Sequence, residues 1–107
     1  MKNYLTEGLG VFFLVLIAAL AGGDHGPLAI GAGLVALTYA GQHLSGAHYN
    51  PAVSLAMLMR GNLSREAFPA YAIAQVVGAV VGGLLGGYLL GATPAHTAHL
   101  HTNDDVF

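Results

Sequence analysis

Ser45-Gly46-Ala47-His48-Tyr49-Asn50-Pro51-Ala52-Val53 decides how this chain folds. Asn50 has the chemistry of a helix cap, because its side-chain oxygen can accept from a free backbone N–H of the first turn. Pro51 fits the first helical position, where a missing N–H has no partner to lose. This start signal stands inside an apolar stretch, with no Asp, Glu, Lys or Arg between Asp24 and Arg60. A helix is therefore expected to begin within the membrane. Backbone at that depth is tolerated only where protein buries it or a water-filled path runs beside it.

The rest of the composition supports a membrane class. Apolar residues make up 55% of the chain and charged ones 7%, too few to give each helix the polar face that a soluble bundle needs. The cations are Lys2, Arg60 and Arg65; the acids are Glu7, Asp24, Glu66, Asp104 and Asp105. The uncharged intervals between them suit the roughly 20 residues that cross a hydrocarbon core. There is no cysteine, so disulfides and thiolate metal sites are excluded. A net charge of -2 offers no basic patch and argues against nucleic acid as a partner.

Three spans are expected, over about 4–22, 28–44 and 68–90. Lys2 before an apolar run has a slight likeness to a signal peptide, but the run lacks an obvious small-residue cleavage site and reads as a retained first helix. From Leu28 to Met59 the chain is too long for one crossing and too short for two with a turn between. Ser45-Gly46 and Asn50-Pro51 break it into a span and a short helix over about 51–60. At about 1.5 Å per residue, the ten residues from Asn50 to Arg60 cover roughly 15 Å, half of a core about 30 Å thick. With Arg60 at an interface, Asn50 lies near the midplane, and the short helix is re-entrant. Ser64 is a candidate cap for the last span. Residues 1–90 thus form one unit, and 91–107 a polar, His-rich tail. Lys2, Arg60 and Arg65 fall on one side of this layout, which places the N-terminus in the cytoplasm.

These residues resemble the aquaporin/glycerol-facilitator family. The resemblance rests on Ser45 to Val53, on Glu7 with Gly10 and Phe12, and on Tyr71-Ala72-Ile73-Ala74-Gln75-Val76-Val77-Gly78, in the family's order and spacing. It covers roughly residues 4 to 90. Family members carry two such repeats of opposite orientation, whose Asn-Pro-Ala motifs meet at the membrane centre; this sequence resembles the first repeat. The resemblance implies an all-α integral membrane protein of the cell (inner) membrane, half of an aquaporin-like fold with three transmembrane helices and one re-entrant half-helix. It also implies that carbonyls of Gly46, Ala47, His48 and Tyr49 line a pore with Asn50 and Ala52. Ile30 stands where many water-selective members have a bulky aromatic, which suggests a filter open to other small neutral solutes.

The residues themselves suggest parts of that chemistry. The Asn50 amide can donate to a water oxygen while the helix start behind it presents positive partial charge. A water so held donates outward in both directions, which breaks a proton wire, and the same field repels cations. Glu7 is an acid within an apolar helix. It is either a proton-coupling carboxylate or an acceptor for the N–H groups of the loop before Pro51, and the resemblance favours the second. Gln75 is expected to give similar support. His48 and His43 read as hydrogen-bonded structural groups. Gly78, Gly82 and Gly86 form a small-residue face, for packing within the repeat or between protomers. His96, His99 and His101 could chelate weakly, but zinc sites usually need fixed geometry and a fourth ligand; no metal or cofactor is expected.

The expected function is passive conduction of water or small neutral solutes, with the lipid bilayer as solvent. A second half would come from an inverted copy in a homo-oligomer or from a complementary chain. The alternatives are a non-conducting subunit of a full-length channel and a truncated fragment without activity. No nucleophile–base pair, phosphate loop or carboxylate pair occurs at useful spacing, which argues against an enzyme.

Overall fold

A computed structural model describes residues 1–91. The tail histidines His96, His99 and His101 lie outside the described residues. Four helices occur among the described residues, in the order α1 (Lys2–Leu20), α2 (Gly26–Ser45), α3 (Pro51–Met59) and α4 (Ala67–Leu89), with no strand among them. Helix α1 starts earlier than the span read from sequence because its first turn closes on the terminus. Leu5 N donates to Met1 O at 3.0 Å and Thr6 Oγ1 to Lys2 O at 2.6 Å. Asn50 caps α3 in extended conformation (φ -162°, ψ 128°), with Pro51 following. Ser64 Oγ accepts from Ala67 N at 3.1 Å ahead of α4.

By length and composition, α1 and α4 could each cross a membrane. Helix α2 is as long, at 20 residues, but is not apolar enough to join them. Its glycines, Pro27, Thr38, Gln42 and His43 dilute Leu, Ile and Val.

The packing runs opposite to that of a soluble domain. Glu7, Ser45, Ser54 and Gln75 are buried alongside Val11, Tyr49 and Tyr71, while large apolar side chains such as Leu28, Ile73 and Leu84 face outward. Where the solvent is hydrocarbon, burying Leu against Leu gains little, and close backbone approach and polar contacts hold helices together. Both are present. A Cβ on Gly78 would fall on the Gly8 carbonyl oxygen, one on Gly82 would sit 2.6 Å from Phe12 O, and one on Gly86 2.6 Å from Ala19 Cβ. All three glycines face α1 of the same chain. Contact positions rise together along both helices, from Gly8 and Gly78 to Ala19 and Gly86, so α1 and α4 run parallel. Gly33 meets Ile17 and Gly41 meets Thr6, so α2 runs antiparallel to α1.

Candidate functional site

The site is built around the segment that joins α2 to α3. Helix α2 ends when Gly46 takes a left-handed conformation (φ 89°), its N–H returning to Gln42 O. Ala47 (φ 52°) and Tyr49 (φ 55°) are left-handed as well. For residues with a Cβ this costs about 1–2 kcal/mol each, and such conformations persist where the surroundings over-determine them.

Glu7 supplies much of that constraint. Its carboxylate is fully buried and takes four donors. Oε1 accepts from Tyr49 N at 2.8 Å and Gln75 Nε2 at 2.8 Å. Oε2 accepts from His48 N at 3.1 Å and from the Ser45 hydroxyl. Four donors saturate the acceptor-only form of a carboxylate. One side chain of α1 thereby ties down α2, the loop and α4.

Aromatic groups complete the clamp. The Tyr49 ring lies where a Cβ on Gly10 would fall, and its hydroxyl where one on Gly41 would fall. That hydroxyl donates to Leu37 O at 2.7 Å, so glycines in α1 and α2 make the slot that Tyr49 fills. Tyr71 donates to Ser45 O at 2.6 Å. Its ring stands edge-on to Tyr4 at 5.8 Å and tilted against His48 at 5.1 Å.

A second polar node sits under α3. Ser54 Oγ is 2.9 Å from Gln75 Nε2 and 2.9 Å from His48 Nδ1. Gln75 Oε1 is the one buried side-chain polar atom among the described residues without a hydrogen-bond partner.

The other face of the segment is open. Gly46, Asn50, Pro51 and Ala52 are exposed, and Ala47 and His48 are half-buried. Asn50 Oδ1 accepts from Ala52 N at 2.8 Å, while no hydrogen bond among the described residues uses Nδ2. The structure brings Glu7, Gln75, His48 and Tyr49 together in one network beneath Asn50 and Pro51. It does not bring Ile30 there. That half-buried residue is in the second turn of α2, about 22 Å along the helix axis from Ser45 at 1.5 Å per residue. His43 is exposed on the last turn of α2.

Sequence reading named Ser45 and Tyr71 only as parts of motifs and gave no side-chain role to them or to Ser54. The available signal was an isolated polar side chain in an apolar run, such as Ser54 between Val53 and Leu55. It is the same signal that marked Gln75.

Comparison with known proteins agrees on the class. No solved structure matches the chain. It is 39% identical over 85 residues to glycerol uptake facilitator protein-like 6 of Lactiplantibacillus plantarum, covering 74% of this chain and 39% of that protein. It is 35% identical over 106 residues to aquaporin NIP1-3 of Oryza sativa subsp. japonica, covering 89% of this chain and 37% of that protein. Aquaglyceroporin AqpS of Rhizobium meliloti is 54% identical over 52 residues, 49% of this chain and 22% of the relative. The chain thus spans less than two fifths of the length of these relatives. The family model for major intrinsic proteins matches residues 1–106, and the chain belongs to that family.

Proposed function

We propose that the chain is one half of a membrane channel that passively conducts water or small neutral solutes. Its family consists of integral membrane channels rather than enzymes. The observation that carries the reading is Asn50, exposed at the start of α3 with Oδ1 spent on its own helix and Nδ2 free among the described residues. A permeating water would meet a side-chain N–H donor there. It accepts from Nδ2, in the positive field of the α3 N-terminus, and turns both its own protons outward, so a proton wire is interrupted there. With their N–H groups spent on Gln42 O, Ser45 Oγ and Glu7 Oε2, exposed Gly46 and half-buried Ala47 and His48 would add carbonyl acceptors along the same face, with Ala52 as an apolar neighbour. Ile30, at the far end of α2, would belong to the outer filter.

In this reading α1, α2 and α4 cross the bilayer, and α3 is a half-helix that returns to the side α2 came to, within a unit of residues 1–90. Lys2, Arg60 and Arg65 then share the cytoplasmic side of the inner membrane. The second wall of the pore comes from an inverted copy of this chain or from a complementary one. Helices α2 and α3 also carry exposed apolar side chains, among them Val35, Tyr39, Val53, Leu55 and Met59, which such a partner would cover. The relatives' names, covering water and glycerol channels, support small neutral permeants.

The test is osmotic shock of proteoliposomes holding the full chain. Shrinkage in a water assay, or swelling after glycerol entry, faster than in empty vesicles is expected. Rates equal to those of empty vesicles would defeat the conduction reading. Crosslinking through cysteine at position 50 would then separate the partners: a chain-to-chain product supports the inverted pair, and a product only with a longer channel supports a non-conducting subunit.

A further inference from the structure

We infer that Ser54 is a positioning residue that fixes which ring nitrogen of His48 carries the proton, so that His48 offers an N–H donor on the open side of the loop. The Ser54 hydroxyl has no exposure to solvent, so its hydrogen bonds must be made within the protein.

Among the described residues Ser54 Oγ has two partners, Gln75 Nε2 and His48 Nδ1, each at 2.9 Å. The orientation of the Gln75 amide comes first. As it stands, both N–H groups are used, one on Glu7 Oε1 and one on Ser54 Oγ, and Oε1 alone is left over. The flipped amide would set its oxygen against the Glu7 carboxylate and strand two N–H groups in a buried position. Orphaned N–H groups are much rarer than under-satisfied carbonyls. Gln75 therefore donates to Ser54.

Having accepted that hydrogen bond, Ser54 keeps one proton to give. His48 Nδ1 is the acceptor in reach. Were Nδ1 to carry the proton instead, it would donate to Oγ, and the Ser54 hydroxyl hydrogen would be buried without an acceptor. Neutral imidazole has one donor and one acceptor nitrogen, and the bond made by one fixes the other. Nδ1 is thus the acceptor and Nε2–H the donor.

Nε2 lies on the open side. It is the atom nearest to a Cβ built on exposed Gly46, at 3.1 Å, and no hydrogen bond among the described residues uses it. Directionality runs Gln75 to Ser54 to His48, starting from a glutamine whose other N–H is fixed by Glu7. That an N–H there meets a permeant rests on the conduction reading; the tautomer does not.

The experiment uses the full chain in lipid bilayers with 15N-labelled histidine, above the ordinary titration range of imidazole. The His48 signals are identified by their loss in His48→Gln. Wild type is expected to show unprotonated Nδ1 and protonated Nε2, Ser54→Ala a mixture of both tautomers, and Ser54→Thr, which keeps the hydroxyl, the wild-type pattern. A protonated Nδ1 in wild type, or an unchanged single tautomer in Ser54→Ala, overturns the proposal. If Ser54→Ala does not fold, the wild-type and Ser54→Thr spectra still decide: an Nδ1–H signal in either refutes it. These spectra need no conduction, so vesicles that fail the osmotic assay would sink the channel reading and leave Ser54 to be judged separately.

Discussion

The Glu7 carboxylate accepts the backbone N–H groups of His48 and Tyr49, at 3.1 and 2.8 Å, across 41 and 42 positions of sequence. A helix in the first turns of the chain therefore sets the shape of the loop that opens α3. The two N–H groups belong to irregular backbone that water does not reach at Tyr49, which is buried. Without an acceptor there they would be left unpaired.

Glu7→Gln tests that dependence with little change of volume. Glutamine keeps one acceptor oxygen and turns two N–H groups toward the donors of Ser45, His48, Tyr49 or Gln75. Leaving buried partners unsatisfied costs on the order of 3 kcal/mol. Amide exchange at His48 and Tyr49 is expected to accelerate roughly a hundredfold on that estimate, with α1 and α4 amides much less affected. Unchanged protection at both amides would show that other contacts hold the loop.

The glycines of α4 should divide by face. Gly82→Ala places a Cβ 2.6 Å from a backbone oxygen of α1, which cannot move as a side-chain tip can. An overpacked contact of this kind costs about 1–3 kcal/mol. Gly87 has nothing within 4 Å of a Cβ, so Gly87→Ala is expected to be neutral or to stabilise α4 by up to about 1 kcal/mol through helix propensity. Thermal unfolding in one detergent would rank Gly87→Ala at or above wild type and Gly82→Ala below it. The reverse order would mean that α1 and α4 do not meet through this face.

The four helices could be read from the sequence because their signals are local. Charged or Gly-rich breaks at Asp24, Ser45-Gly46 and Gly61 end apolar runs, and Asn50-Pro51 begins one. Glu7 and Gln75 were conspicuous as polar residues in apolar helices. What stayed hidden depends on pairing across the fold. Nothing local to Gly10 or Gly41 says that the Tyr49 ring fills the space they leave. Nothing local to Ser54 says that it bridges Gln75 and His48. Hydropathy also treats α2 unevenly, since its small and polar residues lower the average while serving contacts, as Gly41 does with Tyr49 and Ser45 with Glu7.

Tyr49 offers a direct measure of that hidden pairing. Tyr49→Phe removes the hydrogen bond to Leu37 O and is expected to destabilise by about 1 kcal/mol. Gly41→Ala would drive a Cβ into the same hydroxyl and should cost more. Because the phenylalanine lacks that oxygen, the two substitutions together should cost less than their sum, by about 0.5–3 kcal/mol as found for residues in contact. Strict additivity in a double-mutant cycle followed by unfolding would show that Gly41 and the Tyr49 hydroxyl do not touch.

Asn50 Oδ1 caps α3, and in the proposed pore Nδ2 has a second job that can be tested separately. Asn50→Asp keeps an oxygen for Ala52 N and places negative charge at a helix start, where it is favourable. It removes the only donor the side chain has. The α3 amides should keep wild-type exchange protection, while water or glycerol flux falls to that of empty vesicles, in a preparation where wild type conducts. Asn50→Ala loses both the cap, worth about 1 kcal/mol, and the donor, so exchange should quicken in the first turn of α3 and flux should fall as well. Wild-type flux through Asn50→Asp would mean that permeants do not depend on the Nδ2 donor. Loss of flux together with loss of α3 protection in that variant would instead locate the role of Asn50 in holding the helix.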